Sequence, residues 1–214
     1  NLDKMEVTGV KVGDVITHIN GKQVSEIVDS LLIYFPASNS AAKMRDISYD
    51  ILRSQKNEIV ITYLSSHVSK EEKLTLYKKQ ELNYYDWYKI KNDKSYKLLT
   101  NDILYLNLAL LNESDYPAIE EQLKNVKGVI IDVRNYPNFL MYSLTPYFQT
   151  TKEPFAVFTH RSIKYPGEFN WSKSLHIMGN KKPFSGKLIV LANEVTQSFG
   201  EFTVMSLKAT GNAT

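Results

Sequence analysis

The residue with the clearest chemical promise is Ser198, in the stretch Lys187–Lys208, KLIVLANEVTQSFGEFTVMSLK. The apolar run Lys187–Ala192 predicts a buried strand, a short polar turn follows, and Ser198–Lys208 predicts a helix. Ser198 then sits at or just before a helix N-terminus, where the first amides have no internal partner and the dipole leaves partial positive charge. A hydroxyl there can attack a carbonyl while neighbouring N–H groups hold the developing oxyanion; one good donor is worth about 3–4 kcal/mol in the transition state. Serine is also a common helix cap, so this stretch alone leaves both roles open. The second stretch is Lys127–Asn138, KGVIIDVRNYPN. Its apolar run Gly128–Val133 reads as a buried parallel strand. Asp132, Arg134 and Asn135 fall at the carboxyl end, the edge at which open α/β sheets bind ligands. Pro137 has no N–H, but Asn138 and Phe139 do, and their amides are candidates for a second oxyanion donor. The Asp132 and Arg134 side chains equally suit a structural carboxylate–guanidinium pair.

A serine nucleophile needs a base within hydrogen-bond reach. Lys208 lies ten residues further along the same predicted helix, about 15 Å away at the helical rise, which is too far. The four histidines are dispersed and show no metal-ligand spacing. His160 and His176 fall in one long insert and are the in-chain candidates, whereas His18 and His67 read as structural.

The elements that must position these residues alternate from Asp102 onward. Strands are expected at Ile103–Leu108, Gly128–Val133, Phe155–Phe158 and Lys187–Ala192, with helices at Ser114–Val126, Phe139–Phe148 and Ser198–Lys208. Strand alternating with helix predicts an α/β core with parallel strands. Residues 159–186 interrupt it and have the length of a lid or binding loop. The N-terminal part reads as a small β-rich module. Val15, Ile16 and Ile19 are strand-like and Asn20-Gly21 is a tight-turn pair. A helix follows from a Ser25 cap, with Ile27, Val28, Leu31 and Leu32 as its stripe. A second helix is expected over Ser40–Arg53 with Ala42, Met44, Ile47 and Ile51 inward. Strands Glu58–Leu64 and Lys73–Tyr77 are expected to flank a charged turn, Ser69–Glu72. Between the modules, six tyrosines and Trp87 fall among lysines from Tyr77 to Tyr105. That mix suits either base stacking or a linker packed on a domain surface, and the mixed charge favours the linker.

Composition narrows the classes. The 214 residues carry 26 basic and 23 acidic side chains, with 43% hydrophobic and 12% aromatic positions. Basic and acidic residues balance in each half, 15 against 13 over residues 1–100 and 11 against 10 beyond. The basic stripe of a nucleic-acid binder is therefore absent, and the aromatic content is too high for a disordered chain. No apolar run is long enough for a membrane helix. The absence of cysteine excludes disulfides, thiolate metal sites and cysteine nucleophiles.

The segments also share an order. VTGVKVGDVITHINGKQV resembles the PDZ segment of bacterial proteases. NDILYLNLALL is similar to the strand that opens the catalytic core of the C-terminal processing, or tail-specific, serine protease family. KGVIIDVRNYPN resembles that family's strand and loop, roughly K-G-hydrophobic-D-L-R-N-N-P-G-G, and VTQSFGEF its nucleophile segment, roughly T-A-S-A-S-E. PASNSAAKMRDISYDILR and RNYPN look most like the Bacteroidetes-type branch, related to the tricorn core protease. The resemblance implies an α/β fold: a PDZ-like domain over 1–80, an aromatic linker over 81–101 and a crotonase-like core over 102–214. It implies a serine endopeptidase acting on unfolded or exported polypeptide, without metal or organic cofactor, in the periplasm or at the cell surface. By carry-over, Ser198 is the nucleophile, Phe199 and the Asn138–Phe139 loop give the oxyanion amides, Glu201 is structural, and Gly9 and Val10 belong to a peptide-binding segment that adds a tail as a strand. Asn138-Phe139 stands where the family pattern has Gly-Gly, and Gln197 stands where it has Ala before the nucleophile. The family's base is a lysine well downstream of the serine or a histidine upstream of the PDZ segment. The chain stops 16 residues after Ser198, so it is expected to be a fragment that lacks the base and hydrolyses little by itself. Asn212-Ala213-Thr214 reads as the start of another core strand. The competing readings are a non-catalytic peptide-binding homologue of the same fold and, more distantly, a crotonase-like acyl-transfer or hydratase enzyme.

Overall fold

Asn20 and Gly21 take positive φ, 49° and 77°, as a two-residue hairpin turn requires. They join β1 (Val15–Ile19) to β2 (Lys22–Gln23) with Ile19 opposite Lys22. Helix α1 (Val24–Leu31) starts directly after β2, so Ser25 lies inside its first turn rather than capping it. Helix α2 (Ser40–Asp50) starts at Asn39, whose side chain accepts the Ala42 N–H at 2.8 Å. Ile47 of α2 is fully buried, but Met44 is 45% exposed, contrary to the inward stripe expected of it. Asn39→Ala removes the cap and is expected to cost about 1 kcal/mol. The check is a lower urea midpoint at unchanged denaturant slope.

Strand β3 (Glu58–Ser65) alternates strictly, with Ile59, Ile61 and Tyr63 buried. The Asn20 N–H donates to the Val60 carbonyl at 2.7 Å and its Oδ1 accepts the Val60 N–H at 2.9 Å, which locks the first turn onto β3. Strand β4 (Val68–Thr75) returns antiparallel. The turn between them is Ser66-His67, both at positive φ. The charged run Ser69–Glu72, expected as the turn, is instead the first half of β4. An edge strand with a solvated face accommodates such charge, and charge protects the edge from adventitious pairing. The four strands form one antiparallel sheet, β2-β1-β3-β4, and Ile19, Ile59, Ile61 and Tyr63 make its core with Ile16, Val24, Ile27 and Leu74 against them.

The structure, a computed structural model, describes residues 8–82 and 94–214. The chain divides into two compact units, Asn1–Lys91 and Asn92–Thr214. The division falls inside the segment expected as an aromatic linker. Tyr84, Tyr85, Trp87 and Tyr88 of that segment lie outside the described residues. Its last part is not linker: Tyr96–Thr100 forms β5, paired antiparallel with β6 (Ile103–Asn107).

The second unit continues through a capping turn in which the Asp115 carboxylate accepts the Asn112 N–H at 3.0 Å. Helix α3 (Tyr116–Leu123), β7 (Gly128–Asp132) and the short α4 (Met141–Leu144) follow, the last running into a 3₁₀ turn at Thr145–Phe148. The expected insert is built as ladders rather than open loop. β8 (Glu153–Ala156) pairs with β11 (Leu175–Ile177), and between them β9 (Thr159–Arg161) pairs with β10 (Phe169–Trp171). Then come β12 (Lys187–Leu191) and α5 (Phe199–Lys208). The main sheet has the order β12-β7-β6-β5, with β6, β7 and β12 parallel. Leu104, Leu106, Val129, Ile131 and Leu188 of these strands are buried against Ile119, Leu144, Phe148 and Leu207 from the helices and the 3₁₀ turn. Ala213 pairs with Leu188 in parallel, and the Thr214 N–H and carbonyl both bond to β12, the start of a core strand that the final residues suggested. Among the described residues no helix is long and apolar enough to cross a membrane, and none of their His, Asp and Glu side chains gather in groups of three or more that would hold a metal.

Candidate active site

The parallel strands end level. Asp132 lies beside Asn107 on one side and Leu191 on the other, so the loops after β6, β7 and β12 leave from one edge. The loop after β12 is tied to the loop after β7 by Thr196, whose hydroxyl donates to the Val133 carbonyl at 3.0 Å and accepts the Asn193 N–H at 3.0 Å. Gly200 completes the junction. A Cβ there would stand 3.2 Å from Thr196 Cγ2 and 3.6 Å from Pro137 Cδ, so the absence of a side chain lets the start of α5 approach Pro137.

Ser198 is the residue before α5. Its backbone has φ 54° and ψ −121°, the first central position of a type II′ turn, which favours glycine. The turn closes through the Gly200 N–H and the Gln197 carbonyl at 2.9 Å. A serine in that conformation carries strain on the order of 1–3 kcal/mol, and such strain clusters at reactive sites. The same geometry, a serine on a sharp strand-to-helix turn, is how a nucleophile elbow presents its Oγ. Ser198 is exposed. Its own N–H donates to Glu201 Oε2 at 2.9 Å, and its side chain faces the Glu201 N–H in the reciprocal half of a capping box. Glu201 thus braces the turn, the structural role expected of it.

The Asn138–Phe139 loop, expected to supply an oxyanion amide, divides differently from expectation. The Asn138 N–H donates to the Leu108 carbonyl at 2.8 Å and its side-chain amide to the Leu111 carbonyl at 2.7 Å. Asn138 therefore pins the loop and has no amide to offer, which corrects its expected role as a donor. Among the described residues, the Phe139 N–H and the Phe199 N–H have no acceptor. Their rings meet at 4.5 Å between centroids, so the two loops that supply the free amides are in contact.

Asp132 holds the loop from below. It is 3% exposed, and its carboxylate accepts the Arg134 N–H at 2.9 Å, Arg134 Nε at 3.0 Å, Arg134 Nη2 at 2.6 Å and the Tyr105 hydroxyl at 2.6 Å. Burial pushes this carboxyl up, but the Arg134 and Tyr105 hydrogen bonds and the Arg134 charge outweigh it and hold Asp132 below its ordinary value. The same pairing raises the Arg134 guanidinium. The two side chains form the structural pair that the sequence allowed.

Neither expected base candidate is hydrogen-bonded to the hydroxyl. His160 is exposed on β9, and His176 Nδ1 lies 2.9 Å from the Ser174 carbonyl. Among the described residues no imidazole, amine or carboxylate is hydrogen-bonded to Ser198 Oγ. In the first unit, the Gly9 N–H is taken by both oxygens of the Glu72 carboxylate, at 2.9 and 3.0 Å, and the Tyr63 hydroxyl donates to Glu72 at 3.3 Å. Val10 packs on the core. The Gly9 N–H is therefore already occupied and is not free to pair with an added strand.

Reading by residue type missed the aromatic surroundings of Ser198. Phe199 and Phe202 are one helical turn apart, and Phe202 contacts Phe155 at 4.8 Å and Phe158 at 5.9 Å. The available signal was the SFGEF spacing itself, which puts two rings on one face of α5.

No protein-family model matches the chain, and no curated protein matches it. Among solved structures, mature CPAF matches at 10% identity and a TM-score of 0.65 over 96% of this chain and 63% of its own. A candidate peptidase from Parabacteroides merdae matches at 17% identity and a TM-score of 0.50, covering 89% of this chain and 65% of its own. The photosystem II D1 C-terminal processing protease aligns with 97% of the chain at a TM-score of 0.40. The chain spans slightly less than two-thirds of the length of the first two. The second unit thus completes the α/β arrangement that the motifs implied, and the chain as a whole has the fold of mature CPAF and the Parabacteroides peptidase.

Proposed function

We propose that this chain carries the nucleophile and the oxyanion cradle of a serine-type peptidase acting on unfolded polypeptide in an extended form. The observation that carries the reading is the backbone of Ser198: an exposed serine at φ 54° on the tip of a ten-residue helix, a strained placement that a simple helix cap does not need. In the reaction, Ser198 Oγ attacks the substrate carbonyl and its proton passes to a base. The carbonyl oxygen gains negative charge and is received by the Phe199 and Phe139 amides. Collapse expels the amine and leaves an ester on Ser198, which water then hydrolyses. The described residues supply the nucleophile and the cradle but make no base contact. The likeness in fold to mature CPAF and to a candidate peptidase supports the peptidase reading.

The test is a serine-directed fluorophosphonate applied to the intact protein. Labelling is expected at Ser198, identified by peptide mass, and is expected to vanish in Ser198→Ala. Equal labelling of the two proteins removes Ser198 from the mechanism. No labelling of either protein leaves a scaffold without acyl chemistry.

A further inference from the structure

The site has an apolar flank that begins at Phe139 and Phe199, the two residues whose amides have no acceptor among the described residues. Their rings lie 4.5 Å apart. From Phe199 the contacts continue to Phe202 at 6.2 Å, then to Phe155 at 4.8 Å and, nearly parallel, to Phe158 at 5.9 Å. Three separate elements contribute: the loop after β7, the first turn of α5, and β8 with the residues after it. The row is also held in place. The Phe158 N–H donates to Ser172 Oγ at 2.8 Å and its carbonyl accepts the Ser172 N–H at 2.7 Å.

Although linked, the row is exposed at both ends, Phe139 at 77% and Phe158 at 49%, with Phe155, Phe199 and Phe202 half-buried between them. Rings that served only the core would be covered, and contiguous exposed apolar surface on a soluble protein marks a place where something binds. What binds is indicated by continuity with the nucleophile. The row begins at the two residues whose amides are unpartnered, and Phe199 is the chain neighbour of Ser198. A carbonyl seated on those amides brings its own side chain beside the rings.

We propose that the row Phe139–Phe199–Phe202–Phe158 is the specificity surface of the site, and that it selects a large apolar side chain, aromatic or long aliphatic, on the residue that contributes the attacked carbonyl. The proposal rests on the peptidase reading and deepens it. Apolar contact of this kind discriminates by roughly 10–200-fold for modest differences in side-chain size.

The experiment uses peptidyl p-nitroanilides of one sequence with Phe, Leu or Gly as the residue carrying the scissile carbonyl. For the intact protein, kcat/KM for Phe and Leu is expected to exceed that for Gly by about tenfold or more. Phe139→Ala and Phe202→Ala are expected to shrink that ratio to about threefold or less, mainly by lowering the Phe and Leu values. Phe139 is so exposed that its truncation does not threaten folding, which covers the case in which Phe202→Ala fails to fold. A second measurement does not depend on turnover: fluorescence anisotropy of labelled peptides ending in Phe or Gly, bound to Ser198→Ala. Tighter binding of the Phe peptide, lost on adding Phe139→Ala, supports the surface. If Ser198 labels with a fluorophosphonate but the Phe and Gly substrates turn over equally, the selectivity is overturned and the peptidase reading stands. If the Phe peptide binds selectively and Ser198 never labels, the surface stands and the peptidase reading falls. Equal binding of the two peptides overturns the surface.

Discussion

Ser198→Ala is expected to lower peptide hydrolysis by the intact protein by a factor on the order of 10⁴–10⁶, because removing a nucleophile removes the acyl-enzyme route altogether. The residual rate would come from binding and the amide cradle alone. A second substitution separates this role from capping. Ser198 has φ 54° and ψ −121°, a conformation any side chain with a Cβ enters at a cost and glycine enters freely. Ser198→Gly is therefore expected to be more stable than the wild-type protein by about 1 kcal/mol, while as inactive as Ser198→Ala. A serine kept only as a helix cap predicts a different result, since replacing a cap by glycine costs only a few tenths of a kcal/mol and gains nothing. Thermal unfolding of the three proteins beside one hydrolysis assay decides the matter. A gain in stability together with lost activity is the mark of strain retained for function.

The second large effect is expected at the clamp beneath the oxyanion loop. Arg134→Ala leaves the Asp132 carboxylate buried with Tyr105 and one backbone amide as partners; the Arg134 side chain is itself half-exposed, so the loss is expected to cost about 2 kcal/mol, less than breaking a fully buried pair. Its pH dependence identifies the cause. In the wild-type protein the Asp132 carboxyl titrates below its ordinary value. The stability it contributes is thus fully present above the ordinary carboxylate range and is lost as pH falls through its folded value. Without Arg134, burial acts with less opposition and the carboxyl moves upward. The charged form is then the penalised one, so the variant is weakest near neutrality. The gap between the two proteins is expected to narrow as pH falls through the carboxylate range. Urea midpoints measured between about pH 7 and pH 4 test this, and a gap independent of pH would show that Arg134 acts by packing alone. The same loop ends at Phe139, so the variant is also expected to lose kcat more than it raises KM, as misplacement of a cradle requires.

Much of the framework was legible because it depends on local pattern. The apolar runs at 128–133 and 187–192 could only be buried strands, and they became the parallel pair β7 and β12. Asn20-Gly21 had to be a turn because few other pairs tolerate positive φ at both positions. Errors arose where a residue's surroundings overrule its type. The charges at 69–72 looked like a turn, yet an edge strand has a face in water and carries them. Met44 fits the inward spacing of α2, but it stands 45% exposed, on the rim of the packed face rather than under it. The insert 159–186 read as loop because its strands have only three residues each, too few to impose a visible period.

The amino-acid order by itself determined that a hydroxyl would stand where a buried strand gives way to a helix, and that a carboxylate and a guanidinium would share the end of the neighbouring strand. Both follow from hydrophobic periodicity, which short stretches of chain already express. Tertiary structure alone decided which amides are free. Asn138 and Phe139 are adjacent and chemically equivalent in their backbones, but the Leu108 carbonyl takes the first N–H and leaves the second. Partners far apart in the chain likewise took the Gly9 amide for Glu72 and gathered rings from three elements beside Ser198. The reason is that a hydrogen bond or ring contact between distant segments depends on how the sheet edges and helix ends are brought together, and no local spacing encodes that.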